Sequence, residues 1–198
     1  MKLMFVISAA LALLIAPAAF SKTGPAKTSG VYLTATDYQA GRLAFAGDCG
    51  SKEHKLELHD VLHKSYIHVT HGSDKRKYAK ADLFGFRACN GKDYRFATNL
   101  EYLILENKDL YIYAQDIWKQ HGKVGYTERA YYVSAGPSGD IVPLTMENLK
   151  RIVPDNQKFQ SLVDRAFGPA AKGAQLAEYD KTRKMFRLNE LLMASRKP

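Results

Sequence analysis

Five of the six histidines in the 198-residue chain fall in one window: His54, His59, His63, His68 and His71. Within it, His59-Asp60-Val61-Leu62-His63 has the i, i+4 spacing with which a helix aims two imidazoles at one zinc ion. The zinc-hydrolase pattern H-E-x-x-H carries Glu where this chain has Asp60. Asp is one methylene shorter and holds its carboxylate farther from a metal-bound water, which weakens it as a general base. The flanks also read against a long helix. Leu56 and Leu58 alternate as in a strand, and residues 66–70 are rich in β-formers. No third ligand stands out downstream. His59 and His63 are therefore the candidate ligands of a metal-assisted hydrolase, set against the plainer reading of polar strand and turn residues. The sequence implies no cofactor.

Nucleophile motifs are absent. Gly136-Pro137-Ser138-Gly139 reads as a turn and lacks the G-x-S-x-G spacing. There is no P-loop and no G-x-G-x-x-G, and neither cysteine has the neighbouring histidine pattern of an activated thiol. The carboxylate pairs Glu101/Glu106 and Asp109/Asp116 are available to line a cleft, as in any chain of this size. No residue is assigned a catalytic role. Arginine and aromatic residues interleave in Phe84-Gly85-Phe86-Arg87 and Tyr94-Arg95-Phe96. This makes Arg87, Tyr94 and Arg95 the candidate ligand-binding residues, since guanidinium groups beside ring faces suit glycans or single strands. The structural alternative packs Arg87 over Tyr94 and Arg95 over Phe86 as cross-strand pairs. A bridge between Cys49 and Cys89 closes a loop of about 40 residues, worth about 4 kcal/mol in the chain-entropy model. Two free thiols are the alternative.

The elements that must position these residues follow from composition and period. Residues 1–21 read as a signal peptide: Lys2 supplies the positive start, residues 4–16 the apolar stretch, and Ala16-Pro17-Ala18 or Ala19-Phe20-Ser21 the cleavage site. No cysteine precedes Cys49, which excludes a lipoprotein anchor at that junction. No other apolar run approaches a membrane span, so no transmembrane anchor is expected after cleavage. Residues 22–30, rich in Lys, Thr, Gly and Pro, read as a disordered lead-in. Residues 31–198 read as a single domain, β-rich over 31–144 and helical over 145–198.

The centre of that domain is residues 83–113, two hairpins in succession. Asn90-Gly91 predicts a two-residue type I′ turn that pairs Cys89 with Lys92, Arg87 with Tyr94 and Phe86 with Arg95. A turn at Asn107-Lys108 puts Leu103, Leu105, Leu110 and Ile112 on one face and Tyr102, Ile104, Tyr111 and Tyr113 on the other, so this hairpin buries both sides. Thr34 or Thr36 caps a brief helix that Gly41 stops. Residues 115–125, polar around Trp118, read as a long loop, and residues 126–134 as a strand. Thr145 caps a helix ended by Pro154, and Asp155 caps a second over 156–167. Tyr179, Phe186 and Met193, seven apart, predict a last helix over 174–195. Strands first and helices after argue an α+β fold, a mainly antiparallel β-sheet of hairpins covered by C-terminal helices.

The formal net charge is +9 at pH 7, one less when Lys2 leaves with the signal. A basic surface favours anionic partners such as acidic glycans, lipid head groups or nucleic acid. Nucleic acid fits worst, because RNP-type spacing is missing and the chain reads as exported. Tyr32-Leu33-Thr34 with Asp37-Tyr38 and Gly41, Gly85-Phe86-Arg87 with Gly91-Lys92-Asp93-Tyr94-Arg95, and Pro143-Leu144-Thr145 with Asn148-Leu149 resemble an uncharacterised family of small secreted proteins from Gram-negative bacteria. The resemblance covers most of the mature chain, implies export and a shared fold, and carries no catalytic residue. The sequence thus reads as a secreted or periplasmic, non-catalytic binding or envelope-interaction module whose partner it does not identify; an anionic glycan or envelope component is one candidate, set against a basic surface that serves only solubility and charge balance. The alternatives are a metal-assisted hydrolase using the His59/His63 window and a basic binder of acidic polymer.

Overall fold

The computed structural model describes residues 28–59 and 63–197. The expected signal peptide, residues 22–27 of the lead-in, and Asp60, Val61 and Leu62 of the histidine window lie outside them. Ser29, Val31 and Tyr32 are buried in the first strand, β1 (Thr28–Tyr32), so the last three residues of the expected lead-in are strand. Thr34 caps α1 (Ala35–Gln39) through a reciprocal capping box with Asp37, and the chain then turns into β2 (Ala44–Asp48). β3 (His54–Glu57), β4 (Tyr66–His71) and β5 (Asp74–Ala79) form a small antiparallel sheet. Its inner side chains Ile67 and Val69 pack on Val31, Leu83, Phe86 and Phe96. Its edge strand β5 carries exposed Lys75, Arg76 and Lys77, charges that blunt an open strand edge.

After a 3-10 turn at Lys80–Asp82 come β6 (Gly85–Arg87), β7 (Asp93–Ala97), β8 (Leu100–Asn107), β9 (Leu110–His121), β10 (Val124–Ala135) and β11 (Val142–Pro143). With β1 and β2 they make an eight-stranded antiparallel sheet in the order β11-β10-β9-β8-β7-β6-β1-β2. Three helices, α2 (Met146–Ile152), α3 (Gln157–Phe167) and α4 (Arg187–Ser195), contribute Leu149, Phe159 and Leu188 to a core over Leu110, Ile112 and Val133. The fold is thus α+β and dominated by its antiparallel sheet. The expected sidedness of the β8-β9 hairpin is found: Leu105, Leu110 and Ile112 meet the helices, while Tyr102, Ile104, Tyr111 and Tyr113 join Tyr32, Tyr38 and Phe84 on the other face.

The β6-β7 hairpin differs from expectation by one residue. Ala88 N–H donates to the Lys92 carbonyl at 2.9 Å and Gly91 N–H to the Ala88 carbonyl at 2.9 Å, which makes a three-residue loop. Gly91 takes the left-handed position, φ 78°, and Asn90 does not. The longer loop slips the register, so Phe86 faces Tyr94 and Arg87 faces Asp93. A slip of one exchanges the faces. Phe86 and Tyr94 therefore stack, centroids 4.9 Å apart, in place of the arginine–aromatic pairs.

Residues 115–125 are not a loop. β9 and β10 run on together as a two-stranded ribbon, Asp116 opposite Arg129 and Lys119 opposite Tyr126, to a Gly122-Lys123 turn. Polarity misleads here because this ribbon is solvated on both faces. Nor are residues 174–195 one helix. β12 (Tyr179–Asp180) and β13 (Met185–Phe186) form a hairpin first. The Asp180 carboxylate accepts from the Thr182 and Arg183 N–H groups at 2.7 and 3.0 Å and holds the turn. Tyr179 and Phe186, seven apart, meet across the hairpin with centroids 5.2 Å apart. The cap of α3 is Asn156 rather than Asp155, its side chain accepting from Phe159 N–H at 2.8 Å.

α4 has no side-chain cap of its own; β8 supplies one. Buried Glu106 accepts from Phe186 N–H at 3.1 Å, and Asn189 Nδ2 donates to Glu106 at 2.5 Å and to the Leu110 carbonyl at 2.8 Å. Cys49 and Cys89 are bridged, Cα atoms 5.7 Å apart, tying the turn after β2 to the tip of the β6-β7 hairpin. Among the described residues no helix is long and apolar enough to cross a membrane.

Candidate functional site

On the helix-bearing face of the large sheet, Tyr94 borders the cluster beneath the small sheet, and Ile112 lies beneath the helices. Between them a cleft of about 420 Å³ opens. Register places its floor: Tyr94 faces Leu103, Leu103 faces Ala114, and two residues on, Asp116 faces Arg129. Glu101, Gln115, Lys92 and His63 complete the lining.

Each carboxylate among the described lining residues is matched by a cation. Lys80, only 1% exposed, reaches Glu101 Oε1 at 2.5 Å and the Asn99 carbonyl at 2.9 Å. A buried ammonium persists only when its donors are satisfied in this way. Arg129 grips Asp116 with two hydrogen bonds, 2.7 and 2.9 Å. That hydrogen bonding, with Arg129's charge and more weakly Lys92's, holds Asp116 below the usual carboxylate range. A carboxylate kept ionised has no proton to give, so Asp116 is a poor general acid. Lys92 adds to the positive charge of the lining.

Trp118 lies two residues past Asp116 on the same face of the ribbon, about 7 Å farther out. It is 66% exposed. Gly125 makes room for it, since a Cβ there would lie 2.6 Å from the indole. The ring therefore rests against backbone and is presented to solvent beside the cleft.

Of the three candidate ligand-binding residues, Tyr94 alone reaches the cleft. Arg87 is bound to Asp93 at 2.8 and 2.9 Å, and Asp93 also accepts from Tyr32. Arg95 donates to the Tyr113 hydroxyl at 3.0 Å and lies over Phe84. Both arginines thus serve the tyrosine cluster, where burial raises Tyr32 and Tyr113 above the ordinary phenol range.

The histidine window divides three ways. His54 is buried, its Nε2 2.7 Å from Ser29 Oγ, and desolvation lowers its pKa. His63 lines the cleft. His59 and His63 both sit at positive φ, 55° and 45°, outside any helix, so helical i, i+4 geometry is not formed at either end. His59 instead meets His68, Nε2 to Nδ1 at 3.0 Å, with Glu57 beside them. Desolvation, then Lys75 and His59, hold His68 below the usual imidazole range; bonds from Lys75 and Lys55 lower Glu57 to about 2.

Sequence reasoning passed over Lys80, Arg129, Trp118, Glu57 and His68 as site residues. Gly122 between two β-capable runs was the available signal for the ribbon, and with it the Asp116–Arg129 pair. The suggested carboxylate pairs are split: Glu101 and Asp116 line the cleft, while Glu106 caps α4 and Asp109 binds Arg196. Comparison with protein-family models, with curated proteins and with solved structures found no match.

Proposed function

We propose that the protein is an exported, non-catalytic binding module that holds a segment of acidic polysaccharide in the cleft over β7–β10. The lining of that cleft carries the reading. Tyr94 and Leu103 offer an apolar floor, the Asp116–Arg129 pair offers fixed hydrogen-bonding groups, and Lys92 adds positive charge. A sugar ring turns C–H faces toward an aromatic ring and hydroxyls toward planar polar side chains, and a uronate or sulfate meets guanidinium and ammonium. Trp118 extends the platform along the ribbon, and the net positive exported chain attracts a polyanion from farther away. Catalysis is disfavoured because both carboxylates among the described cleft residues are committed to cations. Secretion or a periplasmic location rests on the leader at residues 1–21 and is supported by the disulfide, which belongs to an oxidising compartment. Kinship with small secreted proteins of Gram-negative bacteria is part of the same proposal.

Trp118 is the sole tryptophan, so its emission reports on this site alone. Polygalacturonate at low salt is expected to change that emission saturably, salt to weaken the response, and neutral dextran to give none. Replacing Lys92 and Arg129 together by Ala should weaken binding by about tenfold or more. An equal response to dextran, or undiminished affinity in the double variant, would sink the reading.

A further inference from the structure

We infer that Glu57, His59 and His68 form a binding site for a borderline divalent cation, zinc above all, on the outer face of the small sheet. Glu57 and His68 are direct cross-strand partners of β3 and β4, so their side chains share a face. His59 follows β3 in a left-handed conformation that brings its ring back over that face. His59 Nε2 lies 3.0 Å from His68 Nδ1, His68 Nδ1 lies 3.8 Å from Glu57 Oε2, and all three donor atoms fall within 4.8 Å of one another. A tetrahedral zinc ion with bonds of about 2.0–2.1 Å sets its ligand atoms about 3.3 Å apart, a value the two shortest separations bracket. Tyr66 packs against both imidazoles, centroids 5.4 and 5.3 Å away, and holds their rings in place.

Two imidazoles and one carboxylate are the donor set of zinc sites that keep a fourth position for water. The same set suits ferrous iron, but an oxidising compartment, to which the Cys49–Cys89 bridge belongs, does not maintain it. Without metal the two rings share one proton between the facing nitrogens. For both to bind zinc, that proton moves to the other nitrogen of the donor ring, a tautomer change without change of charge. Lys75 donates to Glu57 Oε2 at 2.9 Å and competes with the cation for that oxygen, while Lys55 holds Oε1 at 3.1 Å. Zinc entry displaces Lys75 and leaves Lys55 in place. These lysines, with Lys77 over Tyr66 at 3.9 Å, repel a cation and set the affinity on the order of micromolar. The site is separate from the cleft and independent of its ligand.

The test is calorimetric titration of chelator-stripped protein with zinc chloride in a non-coordinating buffer. One zinc per chain is expected. His59→Gln and His68→Gln should each weaken binding by about tenfold or more, since each removes a ligand. His63→Ala should leave it unchanged, and Lys75→Ala should tighten it several-fold by removing the competitor. Lys75 lies on an exposed strand edge, so this variant reads the site even where an imidazole variant fails to fold. No saturable zinc binding, unchanged affinity in both glutamine variants, loss on His63→Ala, or no gain on Lys75→Ala would each overturn the assignment.

Discussion

Asn189→Ala should cost about 3 kcal/mol, far more than an amide on a helix ordinarily contributes. Asn189 is 1% exposed and serves three partners: it accepts from Leu110 N–H at 2.9 Å and donates to the Leu110 carbonyl at 2.8 Å and to Glu106 at 2.5 Å. Alanine leaves both backbone groups of a buried Leu110 without these bonds, each worth about 1–3 kcal/mol, and removes a charge-assisted bond worth about 1.5–3. Glu106 keeps the Phe186 N–H, and alanine's helix propensity returns about 0.5 kcal/mol, so the low end of the sum applies. For a chain of this size that loss lowers Tm by roughly 6–12 °C. Urea unfolding should show the midpoint falling with an unchanged slope, because the surface exposed on unfolding stays the same. Asn189→Asp should be worse still, since it sets a second carboxylate against Glu106 and loses both donors. A loss under about 1 kcal/mol for Asn189→Ala would mean that water satisfies Leu110 and that α4 is not fastened at this point.

Two further outcomes are expected. Gly91→Val should destabilise by about 1 kcal/mol or more, because a β-branched residue resists φ 78°; an unchanged melting temperature would place the turn elsewhere. Arg129 lowers the Asp116 pKa from its ordinary 3.8, so the unfolded chain takes up this proton first as the pH falls. The pair's contribution is therefore fully present above pH 3.8 and is lost as the pH drops through the lower folded value. Asp116→Asn should cost under about 1 kcal/mol at pH 6, the pair being exposed and screened, and the gap should shrink in acid. A gap constant with pH would rule out the pair as its source.

Local patterns determined much of this protein without tertiary help. Thr34 and Thr145 cap their helices, and the alternation through Tyr102–Ile104 and Leu110–Tyr113 assigns two buried faces, because capping and pleating join residues a few positions apart. The strands-then-helices order likewise led to the sheet-dominated α+β class. What the tertiary structure alone decided begins with one residue in the Gly91 loop. A three-residue turn and a two-residue turn share the same Asn-Gly signal, yet they place Tyr94 opposite different partners and on different faces. Tyr179 and Phe186 show the same ambiguity at helical spacing, resolved by the Asp180 turn. The site residues were hidden for this reason. Glu101 finds Lys80, Asp116 finds Arg129, and His59 finds His68 and Glu57 only once strands are paired. Pairing depends on non-local hydrogen bonds and on the count of residues in each turn, which periodicity within a single strand does not carry.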